Sequence, residues 1–209
     1  GAQDYVTVPD AELSDTDFYR VVSCAAPPGA PCQKQSVRWP DQKSRDLTAR
    51  IVSVAPQYDT ALRAQIDSAL DHAIDEINAA GTIVQMRRAG DTEKPLIELH
   101  LVALSEGDTL TPAPDPELDG ITLPAAYVHI WWGSDAQLQH TIIVFSDSIT
   151  RGEVRSITLE EMLQATGLIT DIDSPYYSER SIFAENGPNA IATLEGQDLR
   201  AFQSHYPAR

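Results

Sequence analysis

The sequence predicts an α+β domain in which a mixed five-stranded sheet carries packed helices. Three observations predict it: runs of alternating apolar residues, a long helical segment between two of them, and enough apolar material to enclose a core. Of the 209 residues, 42% are hydrophobic, which suffices for one sizeable domain. Lys and Arg number 15 against 31 Asp and Glu, a formal charge of −16. So acidic a surface repels phosphate backbones and anionic lipid, which argues against a nucleic-acid partner. No window approaches the roughly 18 unbroken apolar residues of a membrane helix, so no transmembrane segment is expected.

Residues 1–44 are rich in Asp, Pro, Ser and Gln and read as an N-terminal arm lying on the main body, with a short helix over residues 10–19. Residues 45–209 read as the domain itself. The start Gly1-Ala2-Gln3-Asp4 is what remains when a signal peptide ending in a small residue, or a tag, is removed, and it suggests export. Cys24 and Cys32 bracket a Pro-rich segment that can close into a short loop. Free cysteines favour apolar surroundings, so this pair reads as a disulfide formed in an oxidising compartment. With no His or further Cys nearby, the pair does not read as a metal site.

From Leu47 the texture changes. Leu47, Ala49 and Ile51 alternate with Thr48 and Arg50 until Pro56, as in a strand. Over residues 60–80, Leu62, Ile66, Leu70, Ile74 and Ile77 form one apolar helix face, with Asp59 able to cap the start and Gly81 the end. Strands follow over residues 82–87 and 95–104. Six Pro or Gly residues, Gly107, Pro112, Pro114, Pro116, Gly120 and Pro124, punctuate residues 105–124, which read as a long surface loop. Two more strands, 126–132 and 140–146, precede a helix over 158–166. Thr158 is its expected N-cap, Glu161 completes a capping box, and Gly167 ends it. An irregular stretch over 169–190 and a last helix over 195–205 make a small C-terminal subdomain.

The segment Glu160-Glu161-Met162-Leu163-Gln164-Ala165-Thr166-Gly167-Leu168-Ile169-Thr170-Asp171 resembles the zinc helix of metzincin peptidases, H-E-x-x-H-x-x-G-x-x-H followed by an acid. In that pattern two ligands at i and i+4 share a helix face, and the Glu between them is general base to zinc-bound water. The Gly lets the chain swing a third ligand toward the metal. Glu161 and Gly167 keep their places here, whereas Glu160, Gln164 and Thr170 stand where the histidines would be. Ser181-Ile182-Phe183 is similar to the turn beneath a metzincin metal, with Phe183 for Met, and the segment over 194–206 is similar to the closing helix of that fold. Taken in order, Glu-Glu-x-x-Gln-x-x-Gly-Leu, Ser-Ile-Phe and Asp-Leu-Arg resemble the DUF2927 family of exported bacterial proteins, over about residues 37–206. The resemblance implies a zincin-like, metzincin-type fold in a periplasmic, envelope-associated or secreted protein.

The departures imply a lost metal. A Gln amide is a poor zinc ligand and a Thr hydroxyl a poorer one, so no cofactor or metal is expected. The leading expectation is a pseudo-peptidase that binds a peptide or protein between the sheet edge and the helix of Glu161. Its binding residues would be Glu160, Gln164, Thr170 and Asp171, with Tyr127 and Trp131 from a strand that could accept an added strand. The competing expectation is a hydrolase with Glu161 as general base and an atypical metal site including Glu160. A third is a structural envelope protein.

Each feature also has an ordinary reading. Glu160 and Glu161 are then first-turn acids of a capped helix, Gln164 is a surface amide, and Tyr127 and Trp131 are core. His72 reads as solvated and His205 as a cation at a helix C-terminus; His100 and His129 could share a groove if their strands were neighbours. Asp171, Asp173 and Glu179 lack the oxygen spacing of a calcium loop. No nucleophile elbow, Walker A or dinucleotide fingerprint is present.

Overall fold

Residues 4–208 are described by the computed structural model. In chain order its elements are β1 (Tyr5–Thr7), α1 (Asp15–Cys24), α2 (Asp41–Ser44), β2 (Leu47–Val54), α3 (Thr60–Asn78) and β3 (Met86–Arg88). Then come β4 (Ile97–Leu101), β5 (Ala126–Trp132), β6 (Leu138–Phe145), α4 (Val154–Gln164), β7 (Asp171–Asp173) and α5 (Gly196–His205). Five strands form a mixed sheet in the order β3-β2-β4-β6-β5. Neighbours in it run parallel except for β5, an edge strand antiparallel to β6. The fold is thus α+β, with five α-helices among the described residues. None of them is long and apolar enough to cross a membrane.

The period-two pattern of β6 separates two apolar layers. Ile143 and Phe145 join the main core beneath α3 and α4, while Ile142 and Val144 face the opposite way. Leu62, Ile66, Leu70, Ile74 and Ile77 of α3 are all buried in the main core, and the Asp59 carboxylate accepts from the Leu62 N–H at 2.7 Å, capping the helix. The opposite layer is closed by residues 105–124. These differ from the expected surface loop: Leu110, Leu118 and Leu123 are buried against Ile142 and Val144. Leu110 and Leu123 N–H groups donate to Ile121 and Asp108 carbonyls, folding the segment back on itself as a cover.

Helix α4 starts a turn earlier than expected. Its N-cap is Glu153, which makes no side-chain capping bond, and Thr158 lies buried inside the helix. Thr158 therefore caps nothing, and no capping box forms with Glu161. The helix lies between sheet, α3 and tail, with Val154, Ile157, Leu159, Met162 and Leu163 all buried. A helix surrounded on all sides shows no amphipathic period, which is why its first turn went unread.

The N-terminal residues share the core. Ser14 caps α1 by accepting from the Asp17 N–H, placing the helix start five residues beyond the expected position. Phe18, Val21 and Val22 are fully buried, with the Phe18 ring 5.4 Å from Tyr177 and 6.5 Å from Phe183. Strand β1 pairs in parallel with β7, a two-stranded sheet absent from the sequence reading. Ser181-Ile182-Phe183 turns beneath this layer, held by Asp198, whose buried carboxylate accepts from the Ser181 hydroxyl at 2.6 Å and the Ile182 N–H at 2.8 Å.

Cys24 and Cys32 form a disulfide, with Cα atoms 5.2 Å apart. Closing so short a loop in the unfolded chain is worth about 2 to 3 kcal/mol in the chain-entropy model. Alkylation of the denatured protein without reductant should modify no thiol, and Cys24→Ala with Cys32→Ala should lower the unfolding free energy by about that amount.

Gly167 gives a second prediction. Its φ is +108°, and a Cβ there would lie 2.0 Å from the Val37 carbonyl oxygen and 2.9 Å from His205 Nε2. Left-handed strain and a backbone clash combine in Gly167→Ala, which should cost about 3 kcal/mol or more. Urea unfolding showing a loss under about 0.5 kcal/mol would contradict that packing.

Candidate functional site

One cavity of about 340 Å³ lies between β5 and α4. Its α4 wall carries Glu160, Glu161 and Gln164, and the chain beyond α4 adds Ile169 and Asp171. The opposite wall is β5, from Ala126 to Ile130 and again at Trp132, and Asp4 closes one end.

The β5 wall is an unpaired sheet edge. The Ser146 N–H donates to the Ala125 carbonyl, and the antiparallel register pairs Tyr127 with Val144 and His129 with Ile142. Alternation along an antiparallel ladder then turns residues 125, 127, 129 and 131 toward β6. The N–H and C=O groups of Ala126, Val128 and Ile130 point outward along the cavity. Trp132, 47% exposed, is the one large exposed hydrophobic side chain among the described residues. It sits beyond a register shift between Trp131 and Trp132.

The α4 wall is acidic. Glu161 is only 7% exposed, and its Oε2 is buried without a hydrogen-bond partner. Burial pushes its carboxyl up to about 8. The Glu160 carboxyl is held well above the usual range by burial and then by the charges of Asp171, Glu161, Glu185 and Asp198. Asp171 is raised likewise by burial, Glu161 and Glu185. Gln164 Nε2 donates to Asp171 Oδ1 at 2.9 Å. Among the described residues no Lys or Arg lines the cavity; Asp4 is paired with Lys34 at 2.6 Å.

Of the residues singled out from sequence, Glu160, Glu161, Gln164, Asp171 and Tyr127 meet at this cavity. Thr170 and Trp131 do not. Thr170 is buried with its hydroxyl unpartnered and its N–H donated to the Val22 carbonyl, away from the cavity lining. Trp131 faces the cover segment, its ring 4.4 Å from His129 and 5.3 Å from His140, its Nε1 donating to Glu117. Tyr127 and His129 share its face of β5 and yet line the cavity, so strand alternation is not what excludes it; Trp132, past the register shift, lines the cavity. Glu160 and Glu161 are not first-turn acids, because α4 begins at Val154. Asp4, Val128 and Ile130 were missed; Asp4 arrives only through the long-range pairing of β1 with β7.

The histidines also differ from expectation. His205 is buried and pushed down to about 4 by that burial, so it is neutral. It bridges the Val37 carbonyl through Nε2 at 2.9 Å and the Tyr19 hydroxyl through Nδ1 at 3.2 Å. His72 is bonded to the Ala192 carbonyl instead of being merely solvated. Strand β6 lies between β4 and β5, so His100 and His129 share no groove. His100 contacts Ser53 at 2.7 Å and Glu98 at 3.3 Å, a triad order without the strained turn that presents a nucleophile. Asp173 is bonded to Thr7 and Asn186, and Glu179 is exposed.

Zinc does not fit the motif positions. Thr170 lies outside the cavity, Gln164 is bonded to Asp171, and among the described residues no three His, Cys, Asp or Glu side chains are grouped to hold a metal ion. What remains is a set of acids, Glu161 buried and Glu160 and Asp171 half-buried, across the cavity from a strand edge.

Their titration has a sign. The Glu161 carboxyl moves from an ordinary 4.5 to about 8 in the fold, so the native state binds more protons than the unfolded one in that window, and stability falls as pH rises through it. His205 acts oppositely, its contribution being lost as pH falls through 6.5 toward about 4, and His100, His129 and His140, also lowered by burial, act in the same sense, so the window above about pH 7.5 isolates the acids. Unfolding free energy should drop on the order of 1 kcal/mol or more between about pH 7.5 and 9. Glu161→Gln, which mimics the protonated acid, should flatten the slope and be more stable than the parent at the upper end. A parent profile flat over that window would mean that Glu161 is ionised and paired.

No protein-family model matches the sequence and no curated protein matches it, so the likeness to metzincins and to the DUF2927 family rests on the residues quoted above.

Proposed function

We propose that the chain is an exported, zincin-like domain of the DUF2927 type that has lost its zinc ligands and binds an extended peptide or protein segment. The observation that carries this reading is the cavity between the free edge of β5 and the helix bearing Glu160, Glu161 and Gln164. An edge strand with outward N–H and C=O groups every second residue is the template for strand addition, in which main-chain bonds give affinity and adjacent pockets give selectivity. The motif helix then supplies the selecting wall and no longer a general base. Glu161 has no zinc-bound water to deprotonate, and free water, with a pKa of about 15.7, is too weak an acid for it. The disulfide supports an oxidising compartment outside the cytoplasm.

The test is a fluorescence-anisotropy titration with a pool of labelled random decapeptides. Val128→Pro removes one outward N–H and is tolerable on an edge strand. It should weaken binding at least about tenfold, the loss of several main-chain bonds, while thermal unfolding is unchanged. Peptide binding untouched by Val128→Pro would overturn strand addition. About one zinc per chain, with hydrolysis of the pool abolished by chelator and by Glu161→Gln, would establish the hydrolase instead.

A further inference from the structure

We propose that the cavity selects a cationic nitrogen group, an ammonium or guanidinium, carried by the bound segment and seated against Glu161, Glu160 and Asp171. The inference rests on the peptide-binding reading and names the chemistry it recognises. Two independent observations carry it. Three carboxyls from two elements, α4 and β7, line one cavity, and among the described residues no Lys or Arg lines it to neutralise them. In addition, Glu161 lines that cavity while more than nine-tenths buried, and its Oε2 is enclosed without a hydrogen-bond partner. A buried carboxyl left short of donors is destabilised, and a charge-assisted bond from a ligand to that carboxyl would offset the loss. The existing polar groups do not supply that donor. Gln164 gives its amide to Asp171, and Lys34 is taken by Asp4. The sheet wall offers no competing cation, since burial holds His129 below its ordinary value. A divalent ion is the poorer occupant, because the acids are not grouped as metal ligands.

The groups facing this spot are Glu160 and Glu161 on α4, Asp171 on β7, Asp4 with its partner Lys34, Glu185 and Asp198 from the tail, and Tyr127 and His129 on β5. A cation placed among the three raised carboxyls favours their ionised forms, so binding near neutral pH must release protons.

The experiment uses acetylated, amidated decapeptides of one apolar sequence with a central Arg, Lys, norleucine or Glu, and the norleucine peptide again with a free amino terminus. At pH 7 the Arg or Lys peptide should bind at least about tenfold tighter than acetylated norleucine, a difference of about 1.4 kcal/mol, with Glu weakest. Calorimetry in two buffers of different ionisation enthalpy should show proton release. Glu161→Gln and Asp171→Asn should each erase most of the preference of the Arg and Lys peptides over norleucine, read as the ratio of affinities within each variant. If the free amino terminus alone gives the gain, the cation is a chain terminus and the inference stands with that source. Equal affinities across the series, all lost in Val128→Pro, would overturn the cation site and leave strand addition intact. Binding of N-acetyl-arginine amide with no gain from the peptide would uphold the cation site and overturn the peptide reading. No binding of any probe would overturn both.

Discussion

The contact on which the rest of the structure depends is the one between Gly167 and the Val37 carbonyl, where no side chain fits. Around it Trp39 Nε1 donates to the Ala165 carbonyl, and the Trp39 N–H donates to the Tyr206 hydroxyl, which donates in turn to the Thr166 carbonyl. His205 donates to the same Val37 oxygen. Two distant stretches of chain, around Trp39 and around Tyr206, are thereby fixed to the C-terminal end of α4. These bonds satisfy carbonyls that a helix end leaves open, in an interior where an unmade bond is costly. Because the turn at Gly167 is fixed, the chain leaves α4 in one direction, and Asp171 returns beside Gln164.

That geometry brings acids together in a buried place, and the protein treats its buried acids in two ways. Asp198 receives two donors and serves the Ser181 turn; burial still raises its carboxyl to about 6. Glu161 is equally enclosed, yet one oxygen has no donor and its carboxyl rises further. The first arrangement is structural, a bonded acid holding a turn. The second leaves an oxygen without a partner in a side chain that lines a cavity, and such local inconsistencies concentrate at sites of function. The edge strand opposite adds a second unmet set of groups, so both walls of the cavity are open to the same ligand.

The parts of the chain differ in how legible they were. Helix α3 has one face in the core and one in solvent, so its period was visible, and its five apolar positions are all buried. Helix α4 is buried nearly all round, so its period vanished and its start was misplaced. The cover over 105–124 carried Pro and Gly punctuation, and only its three buried leucines betrayed a second core layer. At the site, the i, i+4 spacing of Glu160 and Gln164 placed both on one wall, as helical geometry requires. Strand alternation could not say which β5 side chains line the cavity, since Tyr127 and His129 do and Trp131, on the same face, does not; the lining depends on partners far along the chain.

The sequence by itself determined the α+β class, the principal strands and helices, the pairing of its two cysteines, and the chemical poverty of Glu160, Gln164 and Thr170 as zinc ligands. These follow from local periodicity and from the donor atoms each side chain carries. Only the tertiary structure decided that β5 is an edge, that Asp4 joins the cavity, that His205 is neutral, and that Glu161 is buried with an unpartnered oxygen. Each of those depends on which distant segment excludes water from which group, and burial of that kind is a property of packing with no signature in spacing.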